Sequence, residues 1–376
     1  MSSASDPEPI DTEARAMSIP FRVIDTGVRD GRHQIAFDEA LIELHKAGRV
    51  PDTLRFLRFP PTALVGRHQA VGHELRLDHI RANGVGVVRR ITGGGAIYLD
   101  PGQVGWELVL SRKRLPMPAL ADYTRAICEA AAHGLSQAFG IAARFRPRND
   151  IEVDGRKISG TGGFFDADTL IYQGTVLVDV DPAAVMACLN VPRAKLEKRD
   201  LDKAENRIVT LTALIGRTPS LDEVHRALAH GFAERLGLTL EEAQPTAGEE
   251  ALALDKHREE IGTDEFVYAI DDPRAEGVLE AQRTCPGGTV SAFVRLEGQG
   301  AARRIREALL TGDFFVTPPR IILDLEASLR GVPAGEAGAA VSDFFATHRP
   351  DLLTIAPDDF SSVVEAAIAS QQGPTA

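Results

Sequence analysis

Apolar positions recur along this chain with two periods, and the places where the period changes mark out elements. Phe37, Ala40, Leu41, Leu44 and Gly48 fall at helical spacing and predict a core-facing helix from His33 to Gly48. Leu54–Phe59 and Val85–Ile91 are short runs rich in β-branched and apolar residues and read as strands. The turn Gly93-Gly94-Gly95 joins the second run to a strand at Ala96–Leu99; a further strand follows at Gln103–Leu110, then a long helix at Leu120–Phe139. Asp154-Gly155, between Ile151–Val153 and Lys157-Ile158, is a hairpin signal, because both residues tolerate the positive φ of a tight turn. Leu170–Val180 is nearly continuously apolar and suits a central strand buried on both faces. Nearer the C-terminus Val290, Ala292, Val294 and Leu296 alternate as in a half-buried strand, and helices are predicted at Ala301–Leu310, Leu323–Arg330 and Asp358–Ser370. The expected fold class is α+β, with mixed sheets flanked by helices.

These elements group into two units. The expected division is a disordered tail at 1–19, a large unit at 20–240, a charged Ala/Glu-rich exposed helix or linker at 241–260, and a smaller unit at 261–376. A chain of 376 residues, 44% hydrophobic and 26% charged, can bury a sizeable core. Its net charge of −12 argues against wrapping a nucleic-acid backbone. No apolar run approaches the ~20 residues of a membrane-crossing helix. Met1–Ala16 lacks the charged-then-apolar layout of a signal peptide, so a cytoplasmic location is expected. Cys128, Cys188 and Cys285 are too widely spaced for a disulfide framework or a zinc ribbon.

Two glycine-rich segments carry candidate chemistry. In Arg89-Arg90-Ile91-Thr92-Gly93-Gly94-Gly95-Ala96-Ile97-Tyr98 three glycines allow close backbone approach, their N–H groups can form an anion site, and Arg90 offers a forked donor. The plainer reading is a hairpin turn beside surface arginines. In Asn149-Asp150 through Lys157-Ile158-Ser159-Gly160, Lys157 can reach across a pocket as a point charge, and Asp150 suits magnesium. The plainer reading is a solvated lysine and a turn-forming aspartate. Neither segment is a P-loop or a dinucleotide fingerprint. Together they suit activation of a carboxylic acid on a nucleotide α-phosphate. His68, His73 and His79 have no metal-ligand spacing, Cys188 lies in an apolar helical stretch, Cys285 has no histidine nearby, and Arg193–Arg207 reads as a solvated charged segment.

The pair of segments resembles the lipoate-protein ligase A family of the biotin/lipoate ligase superfamily. Arg89–Gly95, Asn149-Asp150, Lys157–Gly160 and Gly174-Thr175 match its central motifs. Gly66–Glu74, Leu189–Leu211 with Lys195 and Arg207, and Gly312-Asp313-Phe314-Phe315 of an accessory C-terminal domain extend the likeness. The resemblance implies ATP and Mg2+ as cofactors, lipoyl-AMP as intermediate, and transfer to a lysine of an acceptor lipoyl domain. Such an acceptor would be a 2-oxoacid dehydrogenase E2 subunit or a glycine cleavage H protein. It implies Lys157 as the catalytic residue, and Arg90, Thr92, Gly93, Gly94, Gly95, Ala96, Ile97, Tyr98 and Lys157 around ATP and the adenylate. Arg90, Lys157, Gly174 and Thr175 would hold the acid, and Asp150 the magnesium. No nucleic-acid or membrane partner is implied. The chain departs from the pattern at His68, Leu99, Gly162 and Gln173, which bears on acyl preference. Octanoyltransferases and amidotransferases of the superfamily use a cysteine and no ATP. Their cysteine would fall at Ala143–Arg148, where none occurs, or some way beyond Gly174-Thr175, where Cys188 stands. A biotin ligase and a non-catalytic lipoyl-domain-binding protein are the remaining alternatives.

Overall fold

A computed structural model describes residues 20–190 and 207–370. The expected tail at 1–19 and, Arg207 apart, the segment Arg193–Arg207 lie outside the described residues. The first part of the chain supplies strands β1 (Phe21–Val28), β2 (Thr53–Arg58), β3 (Thr62–Val65), β4 (Gly86–Arg89), β5 (Ile97–Leu99) and β6 (Gln103–Ser111). Strands β7 (Arg144–Arg146), β8 (Asp150–Val153), β9 (Arg156–Asp166), β10 (Thr169–Leu177) and β11 (Leu240–Glu242) follow. Eight of them form one sheet in the order β11-β1-β2-β6-β10-β9-β8-β7, while β4-β3-β5 form a small sheet. In the large sheet β1 runs parallel to β2 and β11, and the remaining pairs are antiparallel. The α+β class is as the sequence predicts.

Helix α1 (Gly31–Lys46) starts earlier than expected because Asp30 caps it, accepting from the N–H groups of Arg32 and His33 at 3.0 and 3.2 Å. Gly48 lies beyond its end at φ 67°, so it stops the helix rather than lining its face. Helix α2 (Leu120–Phe139) has the predicted limits. Asp122 accepts from the Ala119 N–H at 3.1 Å at its start, and Gly140 adopts φ 65° at its end. It crosses α3 (Leu221–Leu236) closely, because a Cβ at Gly134 would strike the Ala227 carbonyl and one at Gly231 the Ala130 carbonyl. These two helices cover one face of the large sheet over Trp106, Leu108, Leu110 and Tyr172. Helix α1 covers the other, with Phe37, Ala40 and Leu41 against Ile24 and Val109.

Segment 241–260 holds a helix and is largely exposed, as expected, but it is docked onto the large unit rather than free. β11 pairs with β1, and helix α4 (Ala247–Lys256) packs on α1. Glu249 is buried and ion-paired to Arg22 at 2.5 Å, and Glu250 is paired to Arg29 at 2.8 Å. These two acids anchor the segment at β1, while most of its other charged residues are exposed.

A separate apolar core follows, built on the antiparallel sheet β12 (Leu279–Cys285), β13 (Gly288–Glu297) and β14 (Arg304–Gly312). Helices α5 (Arg320–Leu329), α6 (Ala337–Thr347) and α7 (Pro357–Ala369) cover it. The helix expected at Ala301–Leu310 is instead strand β14. Its apolar residues have helical spacing, but antiparallel pairing with β13 from Val290↔Gly312 to Glu297↔Arg304 decides the backbone. This unit meets the large one through the Gly312–Phe315 loop. The Gly312 N–H donates to the His68 carbonyl at 2.9 Å, and the Phe314 and His68 rings stack at 5.1 Å.

Candidate active site

The glycine turn hangs between β4 and β5, and the two arginines before it do different work. Arg89 is fully buried and donates to the carbonyls of Gly66, Arg67, Gln69, Phe266, Val267 and Ile270, at 2.7 to 3.1 Å. It fastens the neighbouring loop and the 266–270 segment to the small sheet. Arg90 donates to the carbonyls of Leu64 at 3.2 Å, Gly93 at 3.1 Å and Gly95 at 2.8 Å. Burial pulls its pKa down to about 10. Arg90 therefore spends much of its fork on shaping the turn, where the sequence suggested it was free for an anion. With the carbonyls of Gly93 and Gly95 turned to Arg90, the turn is left with its N–H groups as donors. Among the described residues none of Gly93, Gly94 and Gly95 gives its N–H to another backbone carbonyl.

Thr92 is buried and accepts the Arg67 N–H on its carbonyl at 2.9 Å. Ala96 and Ile97 are half-buried. Tyr98 is buried in an apolar cluster with Cys188, and that burial raises its phenol.

Lys157 stands on β9 beyond the predicted hairpin, whose Asp154 and Gly155 take φ 51° and 77°. Its side chain is 37% exposed and its ammonium lies 2.7 Å from Asp150 Oδ1. Arg146 Nη2 lies 2.6 Å from the other oxygen, Asp150 Oδ2, and its Nη1 reaches Glu152 at 3.2 Å. Both Asp150 oxygens are thus taken by cations. No group of three or more His, Cys, Asp or Glu stands ready for a metal among the described residues. The arrangement does not fit a magnesium held by Asp150; the carboxylate orients Lys157 instead. Arg146 was not singled out by the sequence, although its spacing of four from Asp150 is the signal.

The two segments converge on one side chain of the C-terminal unit. A Cβ at Gly94 and a Cβ at Gly162 would each lie 3.1 Å from Phe315 Cζ. The ring therefore sits between the glycine turn and β9. Lys157 lies on the same stretch of β9, for a Cβ at Gly160 would stand 2.7 Å from its Nζ. His68, Thr92, Gly93, Phe164 and Phe315 close around a residual cavity of about 10 Å3. A cleft of about 600 Å3 lies elsewhere, between Phe293, Leu309, Leu323 and Glu326, and neither glycine segment lines it.

Gly174 is not at this meeting point. A Cβ there would overlap the Trp106 ring on the α2/α3 face, so packing accounts for the glycine. Thr175 is half-buried on β10, opposite Gly105.

Sequence reasoning missed a buried cluster next to the site. Arg55, without solvent contact, lies 2.5 Å from Asp38 and 2.8 Å from Glu107. Gln173 donates to the same two carboxylates. Burial, with Glu107 alongside, raises Asp38 to about 7. The available signal was three charged residues inside apolar runs: Asp38 after Phe37, Arg55 in Leu54–Leu57 and Glu107 in Val104–Leu110. All three cysteines are buried, and burial raises their thiols. No helix among the described residues is long and apolar enough to cross a membrane.

Comparison with known proteins accords with this geometry. The family model for the lipoyl protein ligase A/B catalytic domain matches residues 30–233. Octanoyltransferase LipM of Kyrpidia tusciae is 32% identical over 257 residues, covering 62% of this chain and 93% of that one. A bi-partite lipoate protein ligase of Thermoplasma acidophilum, studied with its E2 lipoyl domain, superposes with TM-score 0.60. It is 27% identical and covers 69% of this chain and 99% of that one. A lipoate-protein ligase A bound with ATP gives TM-score 0.59 and 27% identity, covering 67% of this chain and 100% of that one. LipL1 of P. falciparum, in complex with lipoate, shares the fold over 93% of this chain and 99% of its own, with TM-score 0.69 and 17% identity. The chain belongs to the lipoyl protein ligase A/B catalytic domain family.

Proposed function

We propose that this protein is an ATP-dependent lipoate-protein ligase, which forms lipoyl-AMP and then passes the acyl group to a lysine of an acceptor lipoyl domain. The observation that carries this reading is the convergence of Lys157 and the donor-rich Gly93–Gly95 turn on the two sides of one ring-sized space. Adenylation builds negative charge between an acid's carboxylate and the nucleotide α-phosphate. Fixed N–H donors and an ammonium aimed at that charge stabilise the transition state without reorganising. Asp150 and Arg146 hold Lys157 in place. Arg90 acts chiefly by keeping the turn's carbonyls pointed away from the anion. The solved ligase bound with ATP supports nucleotide use, and the Thermoplasma ligase studied with an E2 lipoyl domain supports a lipoyl-domain acceptor. The unit from β12 onward is the accessory part of this reading, and the cytoplasm its compartment.

A second reading, ATP-independent octanoyl transfer, is favoured by the similarity to LipM. It requires a nucleophilic cysteine. Cys128 is buried against Thr161 and Tyr172, Cys188 in the cluster with Tyr98, and Cys285 in the C-terminal core. None presents a thiol to Lys157 or the glycine turn, which favours the ligase.

The test is acylation of a recombinant lipoyl domain, read as a mass increase. The ligase reading expects modification with lipoate plus Mg-ATP and none from octanoyl-acyl carrier protein without ATP. The reverse pattern would establish the transferase.

A further inference from the structure

The cleft of about 600 Å3 belongs to the C-terminal unit and lies away from both glycine segments. Its floor is the outer face of the β13–β14 ladder, where Phe293 pairs with Leu309 and Arg295 with Glu307. Alternate residues of β13, Val290, Ala292 and Val294, point the other way into the unit's core. One wall is α5, which brings Leu323, Glu326, Ala327 and Arg330 to the cleft at helical spacing. The opposite wall is the segment from Asp272 to Val278. Space of this size over an apolar floor is in the range that small organic ligands fill. Leu323 is 58% exposed, more than any other large apolar side chain described. It stands at the cleft with nothing laid against it.

Most charges around the cleft are already paired. Arg295 Nη1 lies 3.8 Å from Glu307 Oε2. Asp272 is held by Arg274 at 2.8 Å and by His73 of the large unit at 3.2 Å. Arg330 is exposed at the end of α5. Glu326 differs from all of these. One of its carboxylate oxygens accepts the Leu310 N–H, on the free edge of β14, at 2.7 Å. Among the described residues no cation pairs with the carboxylate, and burial pushes it up to about 7. Capping a strand edge does not account for the charge, because a glutamine accepts from a backbone N–H as well. A carboxylate in this position gains most from a cation that brings its own apolar body. A neutral apolar molecule would strip its remaining water and return nothing.

We propose that this cleft is a second ligand site, which takes a small amphipathic amine with its ammonium on Glu326 and its apolar body between Leu309 and Leu323. The assignment is independent of the ligase reading, since no residue of the cleft touches Lys157 or the glycine turn. The site does border the joint between the two units. The Phe293 ring meets the His73 ring at 5.4 Å, and the N–H groups of Val71 and Gly72 donate to the carbonyls of Ile270 and Asp271 at 3.0 Å.

The experiment is a ligand-observed NMR titration of the full chain with hexylamine, and with hexanol as the neutral molecule of equal length. At about pH 8 the Glu326 carboxyl is ionised and an alkylamine still carries its proton. The native protein should bind hexylamine. Glu326→Gln keeps an acceptor for the Leu310 N–H and should weaken hexylamine about tenfold or more, while hexanol changes less than about twofold. Ala327→Trp, at an exposed position on the helical wall, should fill the cleft and abolish hexylamine binding. Both variants should keep native circular dichroism, and their acid-dependent ATP–pyrophosphate exchange without amine should equal that of the native chain. Absence of hexylamine binding, or affinity unchanged in either variant, would overturn the site. If Glu326→Gln does not fold, Ala327→Trp decides whether the amine occupies this cleft. Amine binding without any exchange would leave the site standing and sink the ligase reading; exchange without amine binding would do the opposite.

Discussion

Strands β6 and β10 run side by side through the large sheet and carry opposite chemistry on their two faces. Toward α2 and α3 they present Trp106, Leu108, Tyr172 and Gly174, closed in a dry apolar core. Toward α1 they present Glu107 and Gln173, joined to Arg55 and Asp38 in a buried polar cluster. The first face is what burial favours. The second is costly, because carboxylates out of water must be repaid by hydrogen bonds and opposite charge. Only the second adjoins Gly162 and the space that Lys157 and the glycine turn enclose. Alternation along a strand lets one element serve stability on one side and recognition on the other.

Substitutions at four residues would break or sharpen this contrast, in falling order of effect. Arg55→Met leaves two carboxylates buried without their cation and should cost about 3–5 kcal/mol, read as a shift in urea midpoint. A loss below 1 kcal/mol would mean that the cluster is not the tight pairing seen here. Lys157→Met should lower lipoate-dependent exchange about 100-fold or more with the fold intact by circular dichroism. Lys157→Arg should recover it only in part, since a planar fork does not replace a point charge; near-normal activity of the Met variant would remove Lys157 from the chemistry. On the apolar face, Gly174→Ala drives a methyl into Trp106 and should cost about 1–3 kcal/mol in thermal unfolding while leaving acid selectivity unchanged. A change in selectivity would place Gly174 at the substrate after all.

The smallest effect concerns pH. Asp38 has its pKa raised in the folded state by burial and by Glu107. Between the ordinary aspartate value and about 7 the folded protein holds a proton that the unfolded chain has released, so this group's contribution falls as pH rises through that window. Asp38→Asn should flatten the decline of melting temperature between about pH 4 and pH 7. An unchanged slope would show that Asp38 titrates normally.

The same contrast explains what could be read from the sequence. Helix α2 and the Asp154-Gly155 hairpin were legible because local spacing and turn chemistry determine them. So were the glycine turn and Lys157, whose residue types state their chemistry. Strand β14 was not, because its apolar spacing is helical and only the partner β13 reveals its pairing. Phe315 was marked only as part of a C-terminal motif; its place at the site, more than 150 residues beyond Gly162, comes from tertiary placement alone. Arg90 alone was read as a donor to an anion, yet both arginines bind backbone carbonyls, Arg89 of the neighbouring loop and Arg90 of the glycine turn. The ion pairs of α4 were visible as charge, but sequence cannot distinguish a solvated acid from one buried on Arg22.

The central claim is that Lys157 and the glycine turn activate an acid on a nucleotide. ATP–pyrophosphate exchange with the purified chain and Mg2+, without any acceptor protein, tests it most directly. The account expects exchange that depends on lipoate, is weaker with octanoate and is lost in Lys157→Met. Absence of exchange with either acid, together with octanoyl transfer to a lipoyl domain without ATP, would contradict it.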